Sequence, residues 1–122
     1  LAQALLDCDY RQARTLTEGI EEDSQDAELA QAVRVISDLL LKLEEPSRLS
    51  ASNARSLYLE AIQQLKKRDF GGALQRFIQI IRDDRYYDDD GSRKACIAIF
   101  KLLGEDHPTT LEYRREFSRA LY

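Results

Sequence analysis

Asp69-Phe70-Gly71-Gly72-Ala73, with Phe77 four residues further on, is the stretch that decides the fold. An acidic residue stands before an aromatic. Apolar residues then recur at three- and four-residue steps through Phe70, Ala73, Leu74, Phe77, Ile78 and Ile81. That period belongs to a helix rather than a strand, and it predicts a helix from Phe70 to about Asp84. The stretch just ahead has the same period. Leu57, Tyr58, Ala61, Ile62 and Leu65 form the buried side of a helix running from about Ser52 or Asn53 to Arg68. Its basic end, Lys66-Lys67-Arg68, complements the negative end of the helix dipole. Two amphipathic helices separated by so few residues must fold back on each other as a hairpin.

Working outward, the pattern stays helical. Asp88 or Asp89 is expected to cap a helix that runs to Leu103, where Gly104 supplies a left-handed stop. Pro108 then opens a last helix at its first position. On the other side, Glu44-Glu45-Pro46-Ser47 ends a helix capped by Asp26, with Leu29, Val33, Ile36, Leu40 and Leu43 on its apolar face. Leu49 to Asn53 is Ser-rich and reads as a linker. Two further helices are expected, one ending near Asp7 and one from about Asp9 to Ile20 carrying Tyr10, Ala13, Leu16 and Ile20. The expected fold is all-α, about seven antiparallel helices with short connections and no strands. Residues 1–48 would supply the N-terminal helices, and residues 49–122 a hairpin plus two closing helices, within one continuous domain. The chain starts in helical pattern with neither Met nor cap, so a C-terminal piece of a longer protein is expected.

Composition narrows the function classes. With 122 residues, 43% hydrophobic and 33% charged, the chain has globular proportions. A net charge of −4 argues against displacing counterions from nucleic acid. Leu39-Leu40-Leu41 is the longest run of leucines and Ala95 to Phe100 the longest apolar run, both far short of a membrane span. Cys8 and Cys96 form neither a Cys-x-x-Cys pair nor a metal cluster and read as reduced thiols, so a cytoplasmic location is expected.

The hairpin can be laid on the tetratricopeptide repeat, a helix-turn-helix unit of about 34 residues. Ala61 takes the small position of the first helix, and Phe70, Ala73 and Phe77 take the aromatic and small positions of the second. Asp9-Tyr10-Arg11-Gln12-Ala13 repeats the turn chemistry near the start. Arg68 stands where the repeat prefers Gly. The C-terminal half adds Asp89-Asp90-Gly91, Arg93-Lys94-Ala95, Phe100, Leu103-Gly104, Pro108, Tyr113-Arg114-Arg115 and Leu121-Tyr122. This set resembles the C-terminal region of bacterial thioredoxin-like proteins with appended tetratricopeptide repeats, holdase chaperones of the chaperedoxin type. The resemblance implies a non-catalytic protein-interaction domain of a co-chaperone that binds unfolded clients or chaperone machinery. The alternative is a structural oligomerisation domain that presents an upstream redox or enzyme domain. Neither Cys8 nor Cys96 matches a motif of that family.

Candidate sites follow from chemistry. In a calcium loop with Gly91 at its sixth position, Tyr86 would have to be a carboxylate and Ile97 a Glu, so Asp88-Asp89-Asp90 reads as a cap and not a metal site. His107, the single histidine, is placed in the turn before Pro108. With no phosphate loop and no nucleophile elbow, no catalytic, cofactor or metal residue is assigned. Partner binding is expected instead on the last helix, through Tyr113, Arg114, Arg115, Phe117, Arg119 and Tyr122. The alternative for that helix is a cap over the preceding hairpin. The inner face of the hairpin adds Gln64 and Lys67. Of Tyr86 and Tyr87, one is expected to pack inward and the other to anchor a partner, Tyr87 being the candidate.

Overall fold

The computed structural model describes residues 25–121. Five helices occur among them: α1 Gln25–Leu41, α2 Asn53–Lys66, α3 Phe70–Asp84, α4 Tyr87–Leu103 and α5 Pro108–Leu121. A single 3-10 turn, Pro46–Arg48, lies between α1 and α2. No strand is present among the described residues. The helices expected near residues 1–7 and 9–20 lie outside them, as does Tyr122. The expected cap Asp26 lies inside the described part of α1.

The α2–α3 hairpin forms for reasons visible in its sequence. Ser52 caps α2 by accepting from the Ala54 amide at 3.1 Å. Asp69 caps α3 by accepting from the Gly72 amide at 3.0 Å. Between them Arg68 adopts a left-handed φ of 65°, the conformation in which Gly is favoured. The Asp69 amide then reaches the Gln64 carbonyl at 2.9 Å and the Arg68 amide reaches Leu65 at 3.0 Å. This pair of bonds is the Schellman closure of a helix C-terminus. Ala61, Ala73, Leu74 and Phe77 meet across the hairpin and are all completely buried.

Tyr58 of α2 stands at the centre of the core, with its ring edge-on to Phe77 at 5.7 Å and to Tyr87 at 5.3 Å. Ile62, Ile78, Ile99 and Cys96 complete that layer. Leu49 is buried too, so the Ser-rich segment before α2 contributes an anchor and is not a free linker. α1 packs chiefly on α4 rather than on its sequence neighbour α2. Ala32, Ile36, Leu39 and Leu40 carry that contact into the common core.

The connection from α3 to α4 departs from expectation. Asp88 and Asp89 do not cap a right-handed helix. Asp88, Asp89 and Asp90 have φ/ψ of 55/49°, 54/51° and 63/29°, one turn of left-handed backbone. Each such residue costs about 1–2 kcal/mol in general, and less for Asp, whose short side chain can bond locally. Side chains from elsewhere hold the turn. The Asp88 carboxylate accepts from the Tyr58 hydroxyl at 2.7 Å and pairs with Lys42, just past α1. Asp90 pairs with Arg93, and Asp89 with Lys94 at 3.3 Å. Gly91 follows because a Cβ there would stand 2.2 Å from the Tyr58 hydroxyl oxygen.

Candidate protein-interaction surface

α5 divides into three sides. Thr110 and Phe117 turn inward and are buried, with the Phe117 ring edge-on to Phe100 at 5.5 Å. Tyr113 lies over Gly71, where a Cβ would meet its ring at 3.4 Å, so the helix can approach the hairpin turn closely. Desolvation, followed by the nearby charges of Glu112, Glu116 and Asp69, raises the Tyr113 hydroxyl above its ordinary pKa. Arg82 pairs with Glu116 at 3.8 Å, and Arg85 donates to the Leu121 carbonyl at 3.1 Å. These three contacts run in the same order along both helices, so α5 lies parallel to α3. His107 starts α5: its Nδ1 accepts from the Thr109 amide at 3.1 Å, ahead of Pro108. Its place in that turn is the expected one, and its role is that of a helix cap.

The remaining side of α5 faces water. Leu111 is 65% exposed, and one and two turns later Arg115 and Arg119 are exposed on the same stripe. Beside that stripe, α4, α5 and the first turns of α1 enclose a groove of about 690 Å³. Leu29, Ile97, Phe100 and Phe117 give it apolar walls, and Glu28, Lys101, Glu105 and Arg114 charge its edges. The Arg114 guanidinium lies 6.0 Å from the centre of the Phe100 ring. Such a groove suits an extended or helical segment with apolar side chains and a neutral mixture of charges.

Two of the expected contact residues are corrected. Tyr87 is buried, and its hydroxyl donates to the Ser50 carbonyl at 2.7 Å, so it is the inward member of the pair and anchors the core. Tyr86 is the outward member of the pair, 70% exposed with the Arg85 guanidinium 5.4 Å from its ring centre. Phe117 is buried in the α4–α5 contact, so it can offer a partner little more than the edge that lines the groove. Tyr113 is half-buried on the hairpin turn. Gln64 and Lys67 stand near that same turn, Gln64 half-buried and Lys67 exposed, which groups them with Tyr113 at one end of the molecule. Arg114, Arg115 and Arg119 are exposed, as a contact surface requires. The groove itself was missed because its walls come from three helices, and Leu29 and Ile97 read in sequence as ordinary core positions.

Among the described residues, no group of three or more His, Cys, Asp or Glu side chains is placed to hold a metal ion. Nor is any described helix long and apolar enough to cross a membrane. Cys96 is completely buried, and desolvation pushes its thiol well above the ordinary range.

The parallel α3 and α5, the Ala61–Ala73 approach and the Phe70–Phe77 helix are the packing of a helical-hairpin repeat. A family model described as tetratricopeptide repeat matches residues 37–122. The chain belongs to the tetratricopeptide repeat family. No curated protein and no solved structure matches it. In this family the hairpins serve as protein-protein interaction modules. The tetratricopeptide match takes in α2 to α5 and the end of α1, which includes most of the groove and the whole exposed stripe of α5.

Proposed function

We propose that this domain is the non-catalytic, client-binding or chaperone-docking part of a bacterial, cytoplasmic thioredoxin-like co-chaperone. The groove between α1, α4 and α5 is the observation that carries the reading. Its apolar walls would cover exposed apolar side chains of a partly unfolded client, and its charged edges would meet the client's backbone and polar groups. No bond is made or broken; holding a client rests on burial of apolar surface, with the charged edges adding polar contacts. The resemblance of Asp89-Asp90-Gly91, Tyr113-Arg114-Arg115 and Leu121-Tyr122 to chaperedoxin-type holdases supplies the co-chaperone context.

The test is light scattering from a chemically unfolded protein diluted into buffer with and without this domain. Suppressed aggregation near stoichiometric ratio is expected. Ser118→Trp, at an exposed position lining the groove, should abolish the suppression while circular dichroism stays unchanged. Full suppression by a folded Ser118→Trp protein would remove the groove from the proposal, and no suppression by the wild type would remove client holding altogether.

A further inference from the structure

The α3–α4 turn is built in an unfavourable conformation and held there from outside. Three successive non-glycine residues, Asp88, Asp89 and Asp90, are left-handed. Their neighbours on the α3 side are not: Arg85 keeps helical angles of −51/−40° and Tyr86 sits at −95/8°. If residues 86–90 took right-handed angles, α3 and α4 would merge into one long helix. What prevents this comes from distant parts of the chain. Lys42 and the Tyr58 hydroxyl hold Asp88, and the Ser50 carbonyl holds the Tyr87 hydroxyl. Strain of this kind persists only where its surroundings over-determine it.

We infer that Tyr86–Asp90 is a clamped hinge whose release straightens α3 into α4 and lets two copies of the chain exchange α4 and α5. The exchange follows from burial. A straightened α4 leaves Tyr58, Phe77 and Ile36 without the cover of Tyr87, Cys96 and Ile99, and a second copy opened in the same way supplies identical cover. The clamp and the strain act in opposite directions, so they can be varied separately. Lys42→Met with Tyr58→Phe removes the two groups that hold Asp88 while keeping most of the packing volume. Asp89→Gly relieves the strain at a side chain 99% exposed, gives up only the exposed pair with Lys94, and leaves the two groups that hold Asp88 in place. This inference does not depend on what the groove binds.

The experiment refolds each protein from denaturant at high concentration and measures the dimer fraction by size-exclusion chromatography with light scattering. Lys42→Met/Tyr58→Phe should raise the dimer fraction severalfold over wild type. Asp89→Gly should lower it in both backgrounds and raise the monomer's Tm by roughly 2–5 °C. Dimers formed from a mixture of two differently tagged copies should contain both tags only after joint refolding. A dimer fraction equal in all variants, no dimer in any of them, or a lowered Tm in Asp89→Gly would overturn the hinge.

Discussion

Phe117→Ala separates a capping role for α5 from a docking role. The ring is 8% exposed and stands edge-on to Phe100 at 5.5 Å, so truncation removes a nearly buried aromatic and one aromatic pair. A buried Phe hides roughly 150–200 Å², which at about 25 cal/mol per Å² amounts to about 4 kcal/mol of transfer free energy. The aromatic pair adds about 0.5–1.5 kcal/mol. Two features reduce the loss. The ring borders the groove, so the space left behind opens to water instead of forming a sealed cavity, and α5 can settle slightly onto α4. A loss of about 3 kcal/mol is therefore expected, a large fraction of the roughly 5–15 kcal/mol that holds a typical domain. Urea unfolding followed by circular dichroism measures it, with an unchanged m-value showing that the same surface is exposed on unfolding. Arg115→Ala and Arg119→Ala, on the exposed side, should each stay within about 0.5 kcal/mol of wild type. A Phe117→Ala loss below about 1 kcal/mol would refute the capping assignment and return Phe117 to the docking surface.

Three more outcomes follow from single geometric facts. Gly91→Ala should destabilise by more than about 2 kcal/mol in the same assay, because its Cβ would lie 2.2 Å from the Tyr58 hydroxyl oxygen and force the Asp88 network apart; a neutral substitution would show that Tyr58 is not held there. Arg68→Gly should stabilise by about 0.5–1 kcal/mol, since φ is 65° at that position; destabilisation would mean that Arg68 side-chain contacts outweigh its backbone strain. Alkaline pH should weaken the fold. Burial, then the hydrogen bond to Asp88 and its charge, raises the Tyr58 pKa above its ordinary 10.0, and burial raises Cys96 above 9.0. The unfolded chain then loses protons first, so this stability is fully present below about pH 9 and falls as pH rises through 9 and 10. Thermal melts across that window check the sign. A pH-independent Tm would contradict it.

Much of the fold could be read because its determinants are local. Phe70 opens α3, Gly104 and Pro108 bound the last turn, and Ala61 and Ala73 permit a close crossing within one hairpin, each through residues close in sequence. What could not be read depends on partners far away. Asp88-Asp89-Asp90 carries the composition of a helix cap, yet the conformation is set by Lys42 and Tyr58, 46 and 30 positions away. Which of Tyr86 and Tyr87 turns inward depends on the Ser50 carbonyl and the Tyr58 ring. The groove is illegible for the same reason: Leu29, Ile97 and Phe117 become one surface only after α1 has packed on α4 in preference to α2.

Cys96 gives the domain an internal stopwatch. Its thiol sits with zero exposure on α4, the helix that joins the packing of α1 to that of α3. A membrane-impermeant alkylating reagent cannot reach sulfur there while α4 is seated. In a Cys8→Ser background with reagent in excess, the labelling rate would report how often α4 lifts. No dye, engineered cysteine or isotope is needed. Every substitution discussed above could thus be ranked by how it changes the dwell time of that helix as well as by how it changes equilibrium stability.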